Sequence, residues 1–389
     1  MSLDMHKVAA QVGGMLEKLK SDNRELLQRL QCAREKLQDK DLDLEKLKHK
    51  ISLARTTWLV PGVIEDLSRV YPAPQLLEQY NVLASDGSHI DIDRNKAVRC
   101  FLINVGTVRL KYGDAPEAQL DSFPRLYCRE DELELVDPRD PGQKRPLDST
   151  LLGILRGTEE MRYLAELAGT LPEGSPALAL VDGTLVRWGL EAYPEFVTRL
   201  LVKERFVAGM ERIRGLNPGR AVALASYISL SRATEVVNVL KVAICPQPAP
   251  DCDRCQPISG AYPCDAVDGI QDQMLFGQLL QAGQRSALFF SQSSIQEKYY
   301  GKNRIYFYYL KVEDEIARVE MPEWTALNPD LLDLTHRLIL DQCRKGQGYP
   351  VALSEAHEQA VISGADREEF WALVQESMET EKMPVESSR

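Results

Sequence analysis

The sequence predicts an α/β fold, a mixed sheet flanked by helices and preceded by a long N-terminal coiled-coil helix, and three observations predict it. Apolar, strand-like runs recur between segments of helical periodicity after residue 80. Two of these runs end in the same kind of triplet: Val82-Leu83-Ala84-Ser85 leads into Asp86-Gly87-Ser88, and Ala177-Leu178-Ala179-Leu180-Val181 leads into Asp182-Gly183-Thr184. Finally, β-patterned segments come first and helix–strand alternation follows, as expected where hairpins open a sheet and parallel strands extend it.

Composition bounds what such a chain can be. Its 389 residues exceed a usual single domain, and a hydrophobic fraction of 44% is ordinary for a protein with a substantial core. No apolar run approaches the roughly 20 residues that span a bilayer. No apolar signal region opens the sequence, so it is expected in the cytoplasm and away from membranes. The net charge of −11 excludes a uniformly basic surface, so nucleic acid could be held only by a local basic groove. Eight cysteines in this setting read as thiols or metal ligands rather than disulfides.

Taken in order, residues 15–54 carry Leu16, Leu19, Leu26, Leu30, Ala33, Leu37, Leu44, Leu47 and Ile51 at heptad spacing, with Asn23 and Lys40 at polar seam positions. A narrow apolar seam of this kind specifies a coiled coil; the competing reading is a single solvated helix. Pro61-Gly62 punctuates the chain, and residues 63–71 read as a short helix. The strand toward Asp86 should end there, with Gly87 allowing a sharp turn. Residues 89–93 alternate, Asp93-Arg94-Asn95 can turn, and 100–105 and 107–112 read as strands. The polar, Pro-rich stretch 113–145 reads as a loop-rich excursion with at most one strand near Leu126-Tyr127. A helix capped by Asp148 or Ser149 then runs to about residue 168. The strand to Asp182, a helix over 193–214, a strand over 220–226 and a helix over 233–242 complete the layout. The expected domains are a coiled-coil helix (1–57), a catalytic domain (58–378) with a Cys-rich insert (245–264), and a disordered tail (379–389).

Aspartates at buried strand ends need partners, and a divalent cation is one. The intervening helix offers a third carboxylate: Gly153, Gly157, Glu160, Leu164 and Leu167 share a stripe at helical spacing. Glu160 is therefore preferred to its neighbour Glu159, although Arg156 and Glu160 also suit a plain i,i+4 surface pair. Asp86, Glu160 and Asp182 together would suit Mg²⁺ or Mn²⁺, which take oxygen ligands and share them with phosphate. Two such ions, roughly 3.5–4 Å apart, hold the attacking and leaving oxygens of a phosphodiester.

These residues resemble the NurA nuclease family. The resemblance is carried by Asp86-Gly87-Ser88, by Arg156 with Glu160, and by Leu180-Val181-Asp182-Gly183-Thr184-Leu185. It continues in Ala225-Ser226-Tyr227-Ile228-Ser229, Glu235-Val236-Val237-Asn238-Val239-Leu240-Lys241, Gly283-Gln284-Arg285-Ser286-Ala287-Leu288-Phe289, Arg318-Val319-Glu320-Met321-Pro322-Glu323-Trp324 and Gly348-Tyr349-Pro350-Val351-Ala352-Leu353-Ser354-Glu355-Ala356-His357. The resemblance implies an RNase H-like fold. It also implies a Mn²⁺-dependent (or Mg²⁺-dependent) deoxyribonuclease, a 5′-to-3′ exonuclease with single-strand endonuclease activity. The implied setting is DNA repair, a homodimer that resects broken DNA ends with a hexameric HerA-type ATPase. By motif, the implied ligands are Asp86, Glu160, Asp182 and His357, with Tyr349 beside them. Read without the family, a lone His such as His357 is more often a surface or satisfied core residue than a metal ligand, and Tyr349 suits core packing as well as positioning a phosphate or water.

Three features stand outside that pattern. Cys245, Cys252, Cys255 and Cys264 suit a structural Zn²⁺ or an iron–sulfur cluster, against four unligated thiols in a surface loop. Arg156, Arg187, Arg232 and Lys241 are candidate DNA contacts. Tyr306-Phe307-Tyr308-Tyr309 alternates as a strand, half core and half free to stack bases. The competing functions are a catalytically silent coiled-coil scaffold of the same fold and a phosphohydrolase for small nucleotides.

Overall fold

The computed structural model describes residues 4–93, 96, 98–258 and 260–381, apart from the side chains of residues 6, 10, 13 and 16–22. Two compact units divide the chain. The first is built from Met1–Pro72, Leu230–Gln292 and Tyr308–Arg318, and the second from Ala73–Ser229, Ser293–Phe307 and Val319–Arg389. The Arg94–Asn95 turn, Leu16 and Leu19 of the seam, and the tail beyond residue 381 lie outside the described residues.

In the second unit, strands lie side by side in the order Val222–Ile228, Ala177–Asp182, Tyr80–Ile90, Phe101–Tyr112, Glu117–Tyr127. The first three are mutually parallel and the last two antiparallel, so the sheet is mixed. The Ala177–Val181 run is buried throughout, as expected of a parallel strand covered on both faces. The helix Ser149–Gly169 is the crossover into that strand. Asp148 caps it by accepting from the Leu151 N–H at 2.9 Å. This helix covers one face of the Tyr80–Ile90 strand, backed by the helical stretch Glu195–Arg214, which contains a π-helical segment at Arg199–Val207. Helices Pro329–Lys345 and Val351–Ala360 also pack on the sheet.

Several expectations are corrected. The strand does not stop at Asp86; it continues through Gly87 and Ser88 to Ile90, because the antiparallel partner goes on pairing from Asp86↔Gly106 to Ile90↔Leu102. The excursion at 113–145 contains a full edge strand, Glu117–Tyr127, and a hairpin, Glu134–Asp137 with Asp140–Pro146. The edge strand is exposed almost throughout, so its polar, Pro-containing sequence reflects solvent on both faces and not the absence of a strand. Residues 63–71 form no helix. In the first unit, Gly62–Val63 and Val70–Tyr71 are short strands paired with Phe289–Phe290 and Arg285–Ser286.

The N-terminal segment is two helices, Met5–Leu37 and Leu44–Leu53, rather than one. Asp39 and Asp43 cause the break. Asp39 accepts from the Asp41 N–H and pairs with Lys36, while Asp43 caps the second helix through the Lys46 N–H. Such side-chain-to-backbone bonds compete with helix continuation. Leu30, Ala33, Leu37 and Leu47 are buried within the first unit, where these helices pack on Glu235–Ile244, Asp272–Gly277 and Pro263–Val267. Asn23 and Lys40 are exposed. Among the described residues no helix is long and apolar enough to cross a membrane.

The cysteine-rich insert is part of this same packing. The Cys252 N–H donates to the Arg55 carbonyl at 2.9 Å, and Lys50 donates to the carbonyls of Ala243 and Cys245. All four thiols are free and partly buried. Burial first, then the neighbouring Cys264, Cys255 and Cys245, pushes the Cys252 thiol up. Tyr306, Phe307, Tyr308 and Tyr309 are all buried; no half of that stretch is left to stack bases.

Candidate active site

The site is best built from the register of the two acidic strands. Tyr80–Ile90 and Ala177–Asp182 pair in parallel up to Ser85↔Val181. Asp86 and Asp182 each follow directly, at the point where the parallel ladder stops. Side chains alternate between the faces of a strand. Leu83, Ala179 and Val181 pack in the core under the Ser149–Gly169 helix, so Asp86 and Asp182 project on the opposite face. That is the face from which Tyr349 and His357 arrive. Tyr349 donates its hydroxyl to Asp182 Oδ1 at 2.9 Å, and its ring meets that of Tyr227 edge-on at 5.5 Å. His357 Nδ1 lies 2.8 Å from Asp86 Oδ2.

Close approach of the Val351–Ala360 helix delivers that imidazole. Gly106 sits opposite Asp86, and a Cβ there would fall 2.4 Å from the Ala356 carbonyl oxygen. Asn104 and Ser88 hold the end of the same helix through the Ala360 carbonyl.

Glu160 comes from the other face. It reaches the strand over Gly87, where a Cβ would lie 2.7 Å from Glu160 Oε1 and 3.0 Å from Arg156 Cγ. Gly87 is thus required by close packing and not by a turn; the turn is at Gly183, with φ +75. Glu160 is only 6% exposed. Its Oε1 is 3.0 Å from Arg156 Nε, but the alignment makes no hydrogen bond and leaves both atoms unsatisfied. Burial pushes the Glu160 carboxyl up to about 7; Arg156 opposes this, and the charges of Asp86 and Asp182 add to it. Asp182 is raised as well, first by dehydration of the carboxylate although solvent still reaches the residue. The Tyr349 hydrogen bond lowers it and the Asp86 charge raises it. Glu159 is occupied elsewhere, paired with Arg162 at 2.9 Å.

Of the four candidate DNA-contacting cations, two belong to this neighbourhood. Arg156 is 35% exposed beside Glu160. Arg187 packs over the Phe206 ring at 4.1 Å and donates to the Thr184 carbonyl at 2.7 Å, which makes it a structural cation. Arg232 and Lys241 lie in the first unit, where Lys241 pairs with Asp268 at 2.6 Å.

Among the described residues, no three His, Cys, Asp or Glu side chains converge closely enough to hold a metal ion. For the four thiols, this leaves the expected zinc or iron–sulfur site without structural support. At the acidic site, two aspartates and an imidazole approach from one face and Glu160 from the other. The donor set nevertheless fits a hard divalent cation, with carboxylate oxygens, one imidazole and a buried, unsatisfied Glu160 oxygen. Sequence reasoning missed Glu320. This buried carboxylate accepts from Thr184 Oγ1 at 2.8 Å and from the Leu185 N–H at 2.9 Å. Its signal was present in Val319-Glu320-Met321-Pro322, a carboxylate set among apolar residues of a strand.

A mixed sheet with two aspartates just past the last pair of its Tyr80–Ile90/Ala177–Asp182 parallel ladder defines an α/β protein with an acidic centre on one sheet face. The NurA domain model matches residues 80–362, and the chain belongs to the NurA family. Among solved structures, the NurA nuclease from Sulfolobus solfataricus matches with a TM-score of 0.51 and 12% identity, covering 96% of this chain and 98% of its own. At that identity the likeness concerns the fold. Prototype foamy virus protease-reverse transcriptase matches over 39% of this chain and 18% of its own at a TM-score of 0.21 and 14% identity, too little to bear on the fold. No curated protein matches the sequence.

Proposed function

We propose that this chain is a metal-dependent nuclease that hydrolyses phosphodiester bonds of DNA. The observation that carries the reading is the placement of Asp86 and Asp182 on adjacent parallel strands, with His357 and Tyr349 against them. Family membership supports the same class, and the solved relative of similar fold is itself a nuclease.

Asp86, Asp182 and His357, with Glu160, are the residues that would hold Mn²⁺ or Mg²⁺. Bound there, the ion supplies a nucleophilic water at neutral pH and neutralises phosphate charge. The chain's own groups prepare that chemistry. Tyr349 favours the ionised form of Asp182 by donating to it, against the burial that raises that carboxyl, and His357 orients Asp86. Arg156, partly exposed, offers positive charge for a phosphate. His357 is 63% exposed, which leaves the aspartate face open to a polymer instead of enclosing a small nucleotide.

The finer features follow the family resemblance: 5′-to-3′ exonuclease and single-strand endonuclease activity, a homodimer, and work with a HerA-type hexameric ATPase at broken ends. Retention of every candidate ligand weighs against a silent scaffold. Incubating the purified protein with end-labelled single- and double-stranded DNA, in Mn²⁺, Mg²⁺ or chelator, tests the reading. Metal-dependent shortening of the label is expected; intact DNA under every metal condition would overturn it.

A further inference from the structure

We infer that Glu320 is a positioning residue of the acidic centre, the clamp that fixes the turn joining Asp182 to Arg187. The inference rests on the nuclease reading of that centre for its kinetic consequence, and on geometry alone for its structural one. Asp182 ends its strand; the Gly183 N–H still donates to the Tyr227 carbonyl of the neighbouring strand at 3.0 Å, and beyond Gly183 the chain leaves the sheet. Glu320 anchors the residues past that point. A single oxygen, Oε2, accepts from the Thr184 hydroxyl at 2.8 Å and the Leu185 N–H at 2.9 Å. Thr184 Oγ1 then accepts from the Val186 N–H at 3.1 Å, while the Thr184 carbonyl accepts from Arg187 Nη2 at 2.7 Å. Tyr300 closes the far side: its hydroxyl donates to the Leu185 carbonyl and accepts from the Arg187 N–H, both at 2.9 Å.

The turn thereby links two acids of the centre. At its start is Asp182. At its end the Arg187 guanidinium lies against Gly157, with Nη1 2.5 Å from where a Cβ would stand, one helical turn from Glu160. Arg187 lowers the Glu160 carboxyl. Glu320 is 2% exposed. Burying a carboxylate is expensive, and an apolar side chain of similar size would often serve packing better. A charge-assisted acceptor for two donors of one turn gives that carboxylate a directional role, and groups that orient ligands act on affinity or rate by about ten- to a hundredfold when removed.

The test compares Glu320→Leu and Glu320→Gln with Thr184→Val and Thr184→Ser. Glu320→Gln and Thr184→Ser keep an acceptor and a hydroxyl in place. With single-stranded oligonucleotide, kcat should fall about ten- to a hundredfold in Glu320→Leu and Thr184→Val, with KM unchanged. The conservative variants should stay within a few-fold of wild type, and the Glu320→Leu/Thr184→Val double variant should be no worse than the weaker single. Hydrogen exchange gives a readout independent of activity: the Leu185 amide should lose protection in Glu320→Leu while the strand amides of Val181 and Leu83 keep theirs. Wild-type kcat in Glu320→Leu, multiplying losses in the double variant, or an unchanged Leu185 amide would each overturn the clamp. If Glu320→Leu does not fold, the Thr184 pair decides by the same criteria. Wild-type protein without nuclease activity would overturn the functional reading instead, and hydrogen exchange would still decide the clamp.

Discussion

Asp86 and Asp182 stand one residue beyond the Ser85↔Val181 pair, on neighbouring strands that run in the same direction. The parallel ladder ends there while the antiparallel one carries on from Asp86 to Ile90. The two carboxylates are therefore held side by side by backbone pairing, with no need for a loop to bring them together.

Asp86→Asn and Asp182→Asn should each lower metal-stimulated cleavage by about a hundred- to a thousandfold, the size seen when one charge-stabilising group is removed. Thermal stability in chelator should hold or rise, because one of two neighbouring like charges is gone. Cleavage of end-labelled DNA, with a melting curve on the same preparation, checks both parts. Full activity in either variant would remove that aspartate from the centre.

The pH dependence of stability should report Glu160. Its carboxyl is raised to about 7 from an ordinary value near 4.5, so the folded chain binds that proton more tightly than the unfolded one. Its contribution is greatest below the unfolded value and is lost as pH rises from there through about 7. In chelator, melting between pH 5 and 8 should show this loss, on the order of 1–3 kcal/mol. Glu160→Gln should flatten the profile. Divalent ions should restore most stability at the alkaline end, where the proton they displace is already gone.

Gly106→Ala should be destabilising by about 1–3 kcal/mol or more, because its Cβ would overlap a backbone carbonyl of the His357 helix. The helix must shift to relieve the overlap and take His357 from Asp86. Cleavage should therefore fall further than stability alone explains. A denaturant melt and a cleavage assay at a temperature where the variant is folded separate the two effects.

Leu37→Ala should be destabilising by about 2–5 kcal/mol, because Leu37 is 2% exposed inside the first unit. Leu27→Ala, at a 57% exposed position of the same helix, should change stability by only a few tenths. Denaturant melts of the two variants make the comparison. Equal, small effects would return the segment to a free coiled-coil seam.

The sequence carried the parts of this centre that depend on local pattern. Apolar runs ending in Asp-Gly located both aspartates, and small residues around Gly157 located the face bearing Glu160. What it could not carry was the partner that each strand meets. Gly87 reads as a turn residue unless a helix is known to lie over it, and the Asp86 strand continues only because Phe101–Tyr112 continues beside it. The edge strand Glu117–Tyr127 was hidden for a similar reason, since solvent on both faces erases the alternation by which strands are recognised. Heptads were read as a coiled-coil seam, yet Leu30, Leu37 and Leu47 are buried in helices that pack on segments of the same chain beyond residue 234. Glu320 stood out as a carboxylate among apolar strand residues, but its role appears only when the Thr184 turn is folded against it.

The contact between Asp86 and His357 spans 271 positions of the chain. A chain emerging from the ribosome can complete its early strands long before residue 357 is made, and the imidazole side of the centre stays missing until the helix Val351–Ala360 follows. Truncated or stalled products that stop before residue 357 therefore carry both aspartates without the group that orients one of them. Under the proposed nuclease reading, the order of translation is itself a safeguard.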